Sequence, residues 1–190
     1  MKLLTAPLAL LLAGCASTTP FEWSAAEPGC YKRGVADAFW APDDIGLTDI
    51  RIGRLPDTGQ GPGLMAHFRR HLDGAFGQST GEPDLLLAVG AWESSCVVVV
   101  QQSACPQAEA IYSALASASI PLNHAFDDPS GITVLHGTQY FLSSRDGEGN
   151  QINWSYYGPD HPLQRQISAA LDNLAICAEP AADAFQQAGL

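Results

Sequence analysis

The chain is poor in positive charge. Only nine of its 190 residues are Lys or Arg, against twenty Asp or Glu, which leaves a net charge of -11. Nucleic-acid binding needs clustered Lys and Arg to displace phosphate counterions, so no nucleic-acid partner is expected. Charged residues of either sign amount to only 15%, beside 46% hydrophobic, which excludes wholesale disorder. No uninterrupted apolar run reaches the about 18 residues of a membrane-spanning helix, so none is expected. Several catalytic signatures are missing as well: the chain has no SxxK, no HExxH, no CxxC and no GxxxxGK[ST]. No cofactor, no metal and no nucleophilic serine are expected on that basis, and the catalytic residues of any enzyme reading stay unassigned.

What the chain does have begins at its amino terminus. Lys2 gives a short positive start and Leu3 to Leu12 an apolar run of signal-peptide length. The run ends in Leu12-Ala13-Gly14-Cys15, a Leu three places before a Cys with two small residues between. This segment resembles the lipobox of bacterial lipoproteins, and the resemblance covers residues 1–15. It implies that residues 1–14 are removed and that Cys15 carries the lipid, with the membrane as a partner through that anchor. Several acyl chains hold far better than one, since each buried CH₂ contributes about 0.8 kcal/mol. By the same resemblance Ala16, a non-acidic residue after the Cys, implies transfer to the outer membrane, facing the periplasm. With Lys2 gone, eight bases face twenty acids, and the lipid rather than a basic patch holds the domain at the surface.

Four cysteines then remain, Cys30, Cys96, Cys105 and Cys177, an even number for an oxidising compartment. Two disulfides are expected. The spacing suggests a local Cys96–Cys105 loop and a long Cys30–Cys177 clamp. Cys105, just before Pro106 at a helix start, has a reactive-thiol reading as well, without a CxxC to support it.

Residues 15–29 read as a lipidated tether, 30–178 as a single domain and 179–190 as a tail. Alternation predicts a strand over residues 45–55, followed by a Gly- and Pro-rich loop. Met65, Phe68, Leu72 and Phe76 recur at helical spacing and predict a helix over 62–76. Asp84 to Trp92 and Cys96 to Gln102 predict a hairpin across Glu93–Ser95. A helix follows from Pro106 to Ala118, striped by Ala108, Ile111, Tyr112 and Leu115. Residues 119–130 read as a loop. A second hairpin runs from Ile132 through Leu142 and from Gln151 to Tyr157. A last helix starts at Asp160-His161-Pro162, striped by Leu163, Ile167, Ala170, Leu171 and Leu174. The fold class is therefore α+β, an antiparallel sheet of about five strands with three helices mainly on one face, in the order β-α-β-β-α-β-β-α.

Four groups of residues invite a functional reading. His67 and His71 are four apart and would share one side of the predicted helix, a spacing that suits zinc, but no third ligand is marked. Asp146, Glu148 and Asn150 place oxygens at alternate positions as a calcium loop would, although Asp-Gly and Gly-Asn are also hairpin-turn material. Asp127, Asp128 and Glu93, with His124 or His136, are acid–base candidates whose geometry nothing fixes. Gln151, Asn153, Ser155 and Tyr157 share a polar strand face beside Tyr156, and this is the favoured binding surface, since Tyr supplies contact area at low entropy cost. The favoured function is a non-enzymatic lipoprotein with an envelope protein partner. It is either an inhibitor or immunity protein of an envelope-targeting hydrolase, or an accessory factor of envelope assembly. The competing class is a periplasmic hydrolase, metal-dependent or acid–base.

Overall fold

In a computed structural model, seven strands form one antiparallel sheet: β1 (Gly29–Tyr31), β2 (Ile50–Pro56), β3 (Gly63–Arg69), β4 (Asp84–Gly90), β5 (Ser95–Gln101), β6 (Thr138–Arg145) and β7 (Gln151–Tyr157). Their order is β1-β5-β4-β3-β2-β6-β7. The structure describes residues 29–32, 34–35, 45–57, 62–72, 78–90, 93–121, 137–158 and 161–177. The leader, Cys15, the tether, most of the 119–130 loop, residues 132–136 and the tail at 179–190 lie outside the described residues. Among the described residues no helix is long and apolar enough to cross a membrane.

Strands β2 to β5 meander in sequence order, and the β6–β7 hairpin joins on the outer side of β2. The link is α1 (Ala108–Ala116), which crosses from β5 toward β6 after one turn of 3₁₀ helix, Gln102–Ala104. Helix α2 (Pro162–Ala175) ends the described chain. Pro162 sits in its first turn, where a missing N–H costs nothing, and the His161 side chain caps it by accepting from the Leu163 amide. Its stripe Leu163, Ile167, Ala170, Leu171 and Leu174 is buried against one sheet face, together with Ile50, Ile52, Ala66, Phe68, Leu85, Leu87 and Leu142. Each fully buried Leu, Ile or Phe contributes roughly 1.5–3 kcal/mol relative to exposure. Ala108 and Leu115 of α1 join the same cluster, so both helices lie on that face.

The opposite face has its own core of Val35, Met65, Leu86, Ala88, Val97 and Phe141. Gly53 makes room there, because a Cβ at that position would run into the Phe141 ring. With both faces covered, central strands read as apolar runs rather than clean alternations.

The α+β class and the antiparallel sheet hold, but the counts differ from expectation. The helix predicted over 62–76 is not one: residues 63–69 are β3, flanked in register by β2 and β4. Its two-sided burial makes Met65 and Phe68, three apart, both core residues on opposite faces. Residues 73–77 lie outside the described set. β1 adds a further strand, so there are seven strands and two α-helices among the described residues.

The four cysteines do form two disulfides, but as Cys30–Cys96 and Cys105–Cys177. The expected local pair fails for a geometric reason. β5 is extended, and from Cys96 to Gln101 at about 3.3 Å per residue it covers about 17 Å. Disulfide-bonded cysteines need Cα atoms within about 7 Å. Cys30 instead lies directly across from Cys96 in the β1–β5 register. Cys105, beyond the far end of β5, meets Cys177 after α2.

Candidate functional site

The β6–β7 hairpin is set by its turn. Asp146 Oδ1 accepts from the amides of Glu148 at 2.9 Å and Asn150 at 2.8 Å, and Oδ2 accepts from Asn150 Nδ2 at 2.9 Å. Those donors hold the Asp146 carboxyl below its usual range, led by the Asn150 side chain. Both oxygens are engaged by the turn itself, which is the hairpin-turn reading of this sequence rather than the calcium one.

Hydrogen bonds at the two ends of the hairpin fix which backbone groups face which way. The Asp146 amide donates to Asn150 O at 2.9 Å, and the Gly158 amide donates to Thr138 O at 3.3 Å. Antiparallel ladders alternate between bonded and non-bonded opposite pairs. Counting in from both ends with the observed register, Ser144–Ile152, Leu142–Trp154 and Tyr140–Tyr156 are the bonded pairs. The backbone groups of Asn153 and Ser155 therefore point away from β6. β7 is the last strand of the sheet, so those groups face no neighbouring strand among the described residues.

Side chains follow the same period. Gln151, Asn153, Ser155 and Tyr157 lie on the sheet face away from α2 and are exposed. Tyr156 belongs to the other face with Ile152 and Trp154, so four of the five expected binding residues share a face and Tyr156 does not. Tyr156 stacks on Trp154 with ring centroids 6.0 Å apart, and both pack on His161 at 4.9 and 5.0 Å. Tyr157 donates its hydroxyl to Asp57 Oδ2 at 2.6 Å, which pushes its pKa above the ordinary value. The same carboxylate oxygen accepts from the Gly137 amide at 2.8 Å. Asp57 follows Pro56 in a loop, and nothing in the sequence marks it as a partner of a tyrosine 100 residues away.

Natural sheet edges are commonly guarded by brevity, Lys, Pro, bulges or a cover. The β1 edge is guarded: it has three residues and is stapled by Cys30–Cys96. β7 has seven residues, QINWSYY, without charge or proline. Two of the exposed large hydrophobic residues lie on it, Ile152 at 55% and Tyr157 at 44%.

The histidine pair behaves otherwise than a helix would make it. His67 lies within β3, fully buried, and is bonded through Nε2 to Asp49 Oδ2 at 2.9 Å. Asp49 also accepts from the Arg70 amide at 2.9 Å and the Gly46 amide at 3.1 Å. Burial alone would raise the Asp49 carboxyl, but the His67 bond and the two amides outweigh it and hold it low. Burial lowers the His67 pKa, and the nearby Arg51 and Arg69 guanidinium groups oppose its charge too. Neutral His67 donating from Nε2 to an ionised Asp49 satisfies both directions. His71 follows β3 with φ 49°, and its Nε2 meets Asp84 Oδ2 at 3.1 Å. Asp84 is also held in a fork by Arg69 at 2.5 and 2.7 Å. The two imidazoles thus serve different carboxylates. Among the described residues no group of three or more His, Cys, Asp or Glu is placed to hold a metal.

Glu93 is exposed beside the β4–β5 link, and Asp127, Asp128, His124 and His136 lie outside the described residues. No GxSxG signature is expected in this chain, yet Gly77-Gln78-Ser79-Thr80-Gly81 has that spacing. That spacing signals a nucleophile elbow only in a strand–turn–helix context. Here β4 follows, and Ser79 Oγ donates to Gly81 O at 2.7 Å.

Compared with protein-family models, with curated proteins and with solved structures, the chain has no match.

Proposed function

We propose that the protein is a lipoprotein held through Cys15 in the outer membrane and facing the periplasm. Its domain is a non-enzymatic binding module whose β7 edge receives an extended segment of an envelope protein. The observation that carries this reading is the seven-residue, uncharged, proline-free edge with outward backbone groups at Asn153 and Ser155 and exposed Ile152. Strand addition supplies affinity through main-chain bonds and specificity through alternate side chains. Four outward groups at about 0.5–1.5 kcal/mol each give about 2–6 kcal/mol. Side-chain contacts at Ile152 and Tyr157 add to this, and the net affinity is what is left after the cost of association. The lipobox and the two disulfides support the envelope setting. An inhibitor or immunity protein of an envelope-targeting hydrolase and an accessory factor of envelope assembly are the two forms this function takes. The Asp49–His67 pair is buried, His67 completely, and is read as structural.

A photo-crosslinker at Ser155, in cells that make and process the full chain, tests this. A discrete adduct is expected from Ser155, none from Asn173 on the exposed side of α2, and loss of the adduct on Asn153→Pro. Adducts that ignore the position of the probe or survive the proline would refute the reading. Intact mass of the purified product checks the anchor: a processed chain beginning at Cys15, carrying a diacylglycerol on the thiol and an acyl chain on the new amino terminus, is expected, and an unmodified chain contradicts it.

A further inference from the structure

We infer that the segment received by β7 is a cationic amphipathic strand, alternating apolar and polar residues and carrying Lys or Arg at its ends. This inference rests on the edge reading above and names the chemistry of its partner. Ile152, Trp154 and Tyr156 line the α2 side of the edge, and Asn153 and Ser155 the other side. An added strand places its own alternate side chains on the same two faces, so its apolar residues lie beside the first set and its polar residues beside the second. β7 itself is neutral; at its turn end two exposed carboxylates outnumber the half-buried Arg145, whose guanidinium is turned to the Gly149 and Ile45 carbonyls, and a carboxylate stands at the other end. The exposed Asp146 and Glu148 occupy the turn before Gln151, and Asp57 is bonded to Tyr157 at the other end. The chain as a whole carries -11, and β7 holds no Lys or Arg. Charges at the rim of an interface steer encounter and select partners by sign. A second copy of this chain is disfavoured by the same arithmetic, since it would bring two strongly acidic molecules edge to edge.

The test uses the full chain, purified in detergent, and three synthetic nine-residue peptides. All share one alternating Val/Thr centre and differ only in ending with Lys, Gln or Glu at both termini. The Lys-ended peptide is expected to bind at least about tenfold more tightly than the Gln-ended one. Its advantage shrinks in high salt and on Glu148→Gln, and the Glu-ended peptide is weakest. Asn153→Pro, or Ser155→Pro should the first misfold, abolishes binding while far-ultraviolet circular dichroism stays unchanged. Equal binding of all three peptides, lost with the proline, overturns the cationic partner and leaves the open edge standing. Binding of none of the three overturns both. Self-association of the peptide-free protein that Asn153→Pro removes assigns the edge to a second copy and also overturns the proposal.

Discussion

His67 offers a quantitative test of the buried polar cluster. Its pKa in the folded protein lies below the ordinary 6.5 because it is buried, with Arg51 and Arg69 opposing its charge despite the Asp49 bond. A group with a depressed folded pKa binds fewer protons folded than unfolded. Its contribution is therefore complete above the unfolded pKa and lost as pH falls. The slope approaches about 1.4 kcal/mol per pH unit for one proton. Between neutrality and pH 5 the loss cannot exceed about 2 kcal/mol, the limit set by one proton taken up by the unfolded chain alone. Asp49 is also depressed, but from an ordinary value of 3.8, so its loss begins in a separate, more acidic window. Urea denaturation of the full chain and of His67→Gln at several pH values between 7.5 and 5 isolates His67, because the other four histidines are common to both. The natural chain should lose stability on acidification more steeply than the variant, whose Gln amide still reaches Asp49. Parallel curves, or a natural chain that gains stability toward pH 5, would refute the neutral, buried assignment.

Three further outcomes follow from the packing and the sulfur topology. Leu171→Ala, in the fully buried stripe of α2, should cost about 2–5 kcal/mol by denaturation; a change below about 0.5 kcal/mol would mean that α2 does not seat on the sheet as described. Gly53→Ala should displace the Phe141 ring, costing about 1–3 kcal/mol and shifting the Phe141 ring resonances, whereas Gly81→Ala, with nothing near its Cβ, leaves them in place. Non-reducing peptide mapping should recover Cys30 with Cys96 and Cys105 with Cys177. Removing either pair should cost about 4 kcal/mol in the chain-entropy model for loops of this length, and recovery of a Cys96–Cys105 peptide would contradict the β5 geometry.

The elements that face water on one side were legible, and so was the β4–β5 hairpin from its apolar, β-branched runs, although both of its strands are buried on two sides; β3 was not. Leu163, Ile167, Leu171 and Leu174 repeat at a clean helical period because α2 buries a single stripe. Ile152, Trp154 and Tyr156 alternate cleanly with polar residues for the same reason, since the Gln151, Asn153, Ser155 and Tyr157 face of β7 is exposed. β3 sits in the middle of the sheet, where Leu64, Ala66 and Phe68 serve one core and Met65 the other. Its apolar positions therefore fall at spacings of one, two and three, and Met65, Phe68 and Leu72 mimic a helix. His67 compounded this, because a titratable side chain in the centre of a sheet reads as a boundary residue until Asp49 is seen beside it. β1 is too short to register as a strand, and its place depends on Cys96, 66 residues away. The exposed polar face of β7 was legible from side-chain parity, but its place at the end of the sheet was not, because strand order is a property of the sheet and not of QINWSYY.

Amide hydrogen exchange along β7, resolved residue by residue, tests the open edge most directly. In the free protein the amides of Ile152, Trp154 and Tyr156 should exchange slowly, held by β6, while those of Asn153 and Ser155 exchange fast. Addition of a bound strand should slow Asn153 and Ser155 selectively. Amides of Asn153 and Ser155 already as protected as their neighbours in the free protein would show a covered edge and contradict the account.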